Sequence, residues 1–156
     1  MRKKEKEIID RNELDQIIHN SLICHLSCCL DNQPYLVPLS FGYDGDAVYF
    51  HTALKGKKIE ILAVNPQVCL GFEQEIELVT DPNLACNWTF HFRSVIAYGS
   101  AEKLTEPISR SKAINQIMLH YSDVDWEFSE KDLSKTILWR VKLDEITGKK
   151  SLKETE

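Results

Sequence analysis

PYLVPLSFGYDGDAVYFHTALKGKK, residues 34–58, decides how this chain is read. Tyr35–Tyr43 and Asp46–Thr52 are strand-like runs joined by Asp44-Gly45, a short-hairpin dipeptide. A two-residue turn there would pair Tyr43 with Asp46, Phe41 with Val48, Leu39 with Phe50 and Val37 with Thr52. That face is almost wholly apolar and belongs in a core. The opposite face would hold Pro38, Ser40, Tyr49 and His51, a polar and aromatic surface suited to a flat heteroaromatic ligand. Lys55-Gly56-Lys57-Lys58 follows at once and opens a helix. Backbone N–H groups at a helix start, beside lysines, form an anion site, and Gly56 allows close backbone approach. The competing reading is a solvated turn. The spacing is not that of a Walker A loop.

Working outward, Asp10 with Glu13 resembles a capping box. Leu14, Ile17 and Ile18 recur at helical spacing, so a first helix is expected from Arg11 to Asn20. Residues 21–30 read as a strand and Asp31-Asn32-Gln33 as a turn before Pro34. Residues 57–64 read as a helix stopped by Asn65-Pro66. Gln67–Gln74 is a strand and 76–87 a loop. Trp88–Leu104 is one long bent strand, or two, with Gly99 at a bulge or bend. Pro107 begins a helix whose apolar side carries Ile114, Ile117, Met118 and Tyr121. Residues 122–135 form a polar loop with Trp126 and Phe128, Thr136–Ile146 is the last strand, and 151–156 is a frayed tail. Many strands joined by tight turns predict a mainly β domain with flanking helices, an antiparallel barrel of six or so strands spanning 1–150.

The 156 residues favour one domain. Their net charge of -5 argues against nucleic acid or anionic lipid as partner. The opening MRKKEKEIID lacks the apolar segment of a signal peptide, and no apolar run reaches the ~20 residues of a membrane span, so a cytoplasmic protein is expected. Cys24, Cys28, Cys29, Cys69 and Cys86 are odd in number and form no CxxC motif. They read as unpaired thiols, mostly buried, in a reducing compartment. Cys28 and Cys29 could form a redox pair only if adjacent strand residues shared a face, which they do not.

Within NWTFHFRSVIAYG, residues 87–99, Arg93 and Ser94 are polar in an apolar run. They either face solvent or add donors to the same phosphate. Among the histidines, His51 is the functional candidate against a structural role. His25 and His91 lie in strand-like text. His19 and His120 lie near helix C-termini, where a cation meets the dipole favourably. None has zinc-site spacing with a cysteine, so no metal is expected. Trp88, Trp126 and Trp139 read as core or interface residues, with Trp126 or Trp139 alternatively reaching a partner's ligand.

VPLSFGYDG, YFHTA-x-x-GKK, CNW and RSVIAYG, in this order and spacing, resemble the pyridoxamine 5′-phosphate oxidase-like FMN-binding split-barrel proteins, nearest to the nitroimidazole-resistance branch. The resemblance covers most of the chain. It implies a split β-barrel and a homodimer with FMN at the subunit interface. It further implies that Val37, Pro38, Leu39 and Ser40 line the flavin and that Phe50 and His51 flank the ring and ribityl region. Lys57 and Lys58 would then hold the phosphate, with Ser94 near the FMN. A histidine matching His51 is linked to activity in the resistance branch. The Arg-rich C-terminal substrate segment of the true oxidases is absent from this sequence, which removes support for oxidation of pyridoxamine phosphate itself. Three functions follow: a flavin-dependent oxidoreductase acting on a small, nitroaromatic-like acceptor with His51 as proton or hydrogen-bond donor; a non-catalytic FMN carrier or sensor; and a haem-binding split barrel with an axial histidine.

Overall fold

A computed structural model of the chain describes residues 4–124, 126–129 and 131–151. Residues 152–156 of the expected tail lie outside it. Eight antiparallel strands form one sheet: β1 (Glu7–Ile8), β2 (Cys24–Leu30), β3 (Gln33–Leu39), β4 (Gly42–Tyr43), β5 (Ala47–Thr52), β6 (Gln67–Val79), β7 (Thr89–Leu104) and β8 (Ile137–Ser151). The helices are α1 (Arg11–Asn20), α2 (Lys57–Val64) and α3 (Pro107–Tyr121). Their starts and the ends of α1 and α2 fall where capping, Pro and Asn-Pro signals put them.

The order across the sheet is β3-β2-β6-β7-β8-β5-β4, with β1 on the far end of β8. The two outer strands, β3 and β4, are consecutive in the chain and separated only by Ser40 and Phe41. A sheet whose opposite edges are tied by two residues must curl round on itself. The described strands make no β3–β4 ladder, so the barrel is split rather than closed. Pro34 and Pro38 lie on β3, an edge strand, where a missing N–H is tolerated.

The interior is one apolar cluster fed by the inward face of every long strand, by Leu14, Ile17 and Ile18 of α1, and by Ile61 and Leu62 of α2. Phe41, Phe50 and Phe72 are fully buried in it, each contributing roughly 1.5–3 kcal/mol. A smaller cluster lies outside the sheet, where Ala113, Ile114 and Ile117 of α3 cover Ala47, Tyr49 and Leu138.

Three expectations are corrected. Asp44-Gly45 does not make a two-residue turn. Tyr43 pairs with Val48 and Gly42 with Tyr49, leaving a four-residue loop. The Asp44 carboxylate accepts from the backbone N–H of Asp46 at 3.2 Å and of Ala47 at 2.9 Å, a side-chain turn that competes with the tighter one. The two-residue shift preserves strand parity, so Phe41, Tyr43, Val48, Phe50 and Thr52 still face inward. Beyond Gly42 the expected ladder is absent, because β3 pairs with β2 instead: Pro38 lies opposite His25, not His51. Finally, residues 76–79 are strand, not loop. β6 and β7 continue as a long arm past an irregularity at Gln74–Glu77, where Glu75 has φ +54°. Ile76 and Leu78 alternate correctly for a strand but remain exposed, so there was no core signal to reveal them.

Gly99 is a bulge, as expected. The register against β8 slips between Tyr98 and Gly99, and a Cβ there would lie 2.2 Å from the Lys142 carbonyl oxygen. The capping box forms by half. Asp10 accepts from the Asn12 N–H at 3.1 Å, whereas Glu13 turns away to Arg93 and Lys150.

Candidate functional site: a cationic cavity at the split

β5 ends at Thr52, and the chain crosses Ala53–Gly56 before α2 begins. Gly56 is the N-cap residue, at φ +144°, a conformation open to glycine and strained for other residues, and no side chain caps this helix. The uncapped N-terminus, with its partial positive charge, faces a cavity of about 320 Å3 lined by Tyr35, His51, Lys55, Lys57, Lys58 and Ile59 among others. Tyr35 belongs to β3 and His51 to β5, so the cavity opens where the two ends of the curled sheet approach without pairing.

Three lysines and no carboxylate line it. The Lys57 ammonium lies 5.4 Å from the centre of the Tyr35 ring, and that of Lys58 lies 5.8 Å from the Phe50 ring, contacts in the cation–π range. Lys58 is half-buried, and burial lowers its pKa despite a small opposing effect of Cys28. Burial, then the Lys58 charge, lowers that of His51. Both shifts come first from burial of the charged form, and at His51 the neighbouring Lys58 charge adds to it, a cost that an anion would offset. A phosphate fits this donor set: lysine ammonium groups and free helix N–H groups converge, and Gly56 leaves the approach open, since an added Cβ meets nothing within 4 Å.

The structure sorts the expected site residues into groups. His51, Lys57 and Lys58 share the cavity. Phe50 is fully buried, stacked on Trp139 at 6.1 Å between ring centres, and reaches the site only from beneath Lys58. Val37 and Leu39 point inward and pack against the core. Pro38 and Ser40 are exposed on β3 and just beyond it. Ser94 pairs with Lys149, whereas His51 pairs with Leu138. These β8 positions are eleven residues apart, about 36 Å of strand, so Ser94 does not reach the cavity of its own chain. Arg93, its neighbour, is engaged by Glu13 and by Glu75 at 2.7 Å, not by the cavity. Tyr49, expected on the ligand face, is buried beneath α3, where its hydroxyl donates to Asp44 at 2.7 Å. Trp139 is buried and donates to the Thr52 hydroxyl at 3.1 Å. Near the C-terminus of α3, His120 Nε2 donates to the Ser21 carbonyl at 2.8 Å, and burial lowers its pKa, so it serves as a neutral tie rather than a cation. Lys55, read as part of the anion-binding turn, lines the cavity with Lys57 and Lys58, and Tyr35 is the site residue that motif reading missed. No signal in the sequence pairs Tyr35 with Lys57, because a gap in the sheet brings them together.

All five cysteines are free. Cys28 is buried and its neighbour Cys29 half-exposed, as alternation on a strand requires. No helix among the described residues is long and apolar enough to cross a membrane.

The chain resembles known proteins along most of its length. A Bacteroides thetaiotaomicron protein, assigned provisionally to 5-nitroimidazole antibiotic resistance, superposes with a TM-score of 0.82 at 30% identity, over 92% of this chain and 85% of the other. The flavocytochrome Anf3 of Azotobacter vinelandii superposes with a TM-score of 0.83 at 21% identity, over 96% of this chain and 72% of the other. An FAD-binding protein of Mesorhizobium loti gives 0.67 at 20%, over 92% and 96%. These last two likenesses show the fold. An uncharacterized Rhizobium meliloti protein is 32% identical over 63 residues, 40% of this chain and 41% of that relative's length. The family model for pyridoxamine 5′-phosphate oxidase matches residues 10–150, and the chain belongs to that family.

Proposed function

We propose that the protein binds FMN, with the flavin phosphate in the cationic cavity of Lys55, Lys57 and Lys58, and that it works as a flavin-dependent oxidoreductase on a small acceptor. The observation that carries this reading is the cavity itself: three lysines and an uncapped helix start, with no acid among the lining residues. The flavin supplies the redox chemistry when bound. The chain supplies position and charge. Lys57 and Lys58 fix the phosphate, and His51, beside Lys58 and held mostly neutral by burial, offers a hydrogen bond where the ligand leaves the cavity. The provisional assignment of the Bacteroides relative makes a nitroaromatic compound the first acceptor to try.

The protein is proposed to act as a homodimer. The β6–β7 arm supports this: Ile76, Leu78, Leu84, Trp88 and Phe90 are each at least half exposed along it, an apolar surface that a monomer leaves in water. The loop at its tip is held in shape by Asp81, which accepts from Asn83 and Asn87, and by the Trp88 indole N–H donating to the Asp81 carbonyl at 2.8 Å.

The test is the visible absorption spectrum of freshly purified protein with its mass by light scattering. Two broad flavin bands and twice the chain mass are expected. A colourless chain that takes up no added FMN contradicts the binding. A flavin-loaded monomer contradicts the shared site. Oxidation of reduced nicotinamide with a nitroaromatic acceptor then separates an enzyme from a carrier.

A further inference from the structure

Lys57 and Lys58 are consecutive in the first turn of α2, yet their side chains part, as neighbours about 100° apart on a helix do. The Lys57 ammonium lies 5.4 Å from the centre of the Tyr35 ring and the Lys58 ammonium 5.8 Å from that of Phe50. Tyr35 is on β3 and Phe50 on β5. These strands belong to opposite ends of the sheet order and do not pair. The first turn of α2 thus sends one lysine to each side of the gap.

Both aromatic seats are fixed by the fold. Phe50 is fully buried and stacked on Trp139. Tyr35 is in register with Cys28 on β2 and packs against the core cluster while also lining the cavity. At the other end of α2, the Asn65 side-chain amide donates to the Cys29 carbonyl on β2 at 2.9 Å, which ties the helix to the β2–β3 hairpin. The two lysines differ in cover. Lys58 is half-buried, whereas Lys57 is exposed, and its ring contact is with Tyr35. A lysine free in water gives up rotamer freedom when it takes an anion. One already resting on an aromatic face has given up part of it beforehand, and its ammonium keeps N–H donors for the anion.

Resting on the flavin reading above, we infer that Tyr35 is a positioning residue for the phosphate: its ring holds the exposed Lys57 ammonium at the β3 side of the gap, so that Lys57 and Lys58 meet one phosphate from two sides. The negative face of the ring carries the effect, and the hydroxyl has no part in it. Tyr35 acts through Lys57 alone, so its influence falls on the phosphate and not on the flavin ring.

The experiment titrates the full-length chain with FMN and riboflavin and reads the ratio of the two affinities. The variants are Tyr35→Leu, Tyr35→Phe and Tyr35→pentafluorophenylalanine, each with and without Lys57→Ala. Tyr35→Leu is expected to lower the ratio about 2- to 5-fold, the weight of one exposed cation–π contact, with riboflavin affinity unchanged. Tyr35→Phe, which keeps the ring, restores most of the ratio. Pentafluorophenylalanine keeps the shape of the ring and inverts its charge distribution, so it should lower the ratio as leucine does and tests the inference even if Tyr35→Leu does not fold. In the Lys57→Ala background none of the three should move the ratio further. If wild type does not prefer FMN to riboflavin, the phosphate reading falls and this inference with it. If wild type prefers FMN but the fluorinated ring leaves the ratio intact, the inference alone is overturned. It is overturned as well by an equal loss of both ligands, which would make Tyr35 a support of the fold, by a loss in Tyr35→Phe as large as in Tyr35→Leu, which would assign the effect to the hydroxyl, or by the same loss without Lys57.

Discussion

Tyr49 and His51 lie two residues apart on the same strand and the same outward face, yet one is core and the other is site. Tyr49 is 4% exposed beneath α3, while His51 stands open at the cavity rim. Their strand and local sequence are alike. What separates them is how far along β5 the cover of α3 extends. Lys112 of α3 reaches Asp44 at 3.3 Å beside Tyr49, and Ala113, Ile114 and Ile117 close over the start of β5. A polar-aromatic strand face therefore becomes a ligand surface only where no helix claims it.

The sharpest way to break this division is to lift α3. A Cβ on Gly42 would fall 2.3 Å from the Gln116 backbone, so Gly42→Ala must displace the helix. A loss of about 3 kcal/mol or more is expected from overpacking against backbone, read as a lower denaturant midpoint. An unchanged midpoint would show that α3 does not seat closely enough to decide the fate of Tyr49.

The next effect is smaller and opposite at the two residues. Tyr49→Phe removes the hydroxyl that donates to Asp44 and should cost about 1 kcal/mol of stability, with flavin affinity unchanged. His51→Ala should leave the midpoint nearly unchanged and alter the environment of the bound flavin. If Tyr49→Phe weakened ligand binding while His51→Ala did not, the assignment of core and site would be reversed.

The smallest effect is a pH dependence. Burial lowers the pKa of His51 and of His120 in the folded chain, so the unfolded chain binds more protons as pH falls through the ordinary histidine range near 6.5. Stability should rise with pH through that window and fall on acidification. Anion binding reverses the sign at His51 alone, because a phosphate beside Lys58 favours its charged form. The midpoint should thus be less acid-sensitive in FMN than without it, as thermal unfolding at pH 5.5 and 7.5 would read. Equal sensitivity with and without FMN would place the anion away from His51.

The legible and illegible parts of the sequence divide along the same line. α1 and α2 were legible because their periodicity, caps and Asn-Pro stop are local. Lys57 and Lys58 were legible because one turn of chain delivers them together. The hairpin register was missed because one carboxylate, that of Asp44, outweighs the dipeptide rule. The arm at 76–79 was missed because its apolar residues face no core of this chain. Tyr35 was out of reach, because the gap in the sheet brings it to Lys57 from far away in sequence, and periodicity carries no such information. The proximity of Pro38 to His25 rather than His51 is of this kind as well.

The most direct measurement is the ratio of FMN to riboflavin affinity in wild type and in Lys57→Ala/Lys58→Ala. The ligands differ only in the phosphate. Charge-assisted contacts are worth roughly 1.5–3 kcal/mol each, so the double variant should lose about 10²–10⁴ in FMN affinity, toward the lower end where water screens the site, and keep its riboflavin affinity. Equal loss of both ligands would contradict the account, because the lysines would then be holding up the fold and the phosphate would lie elsewhere.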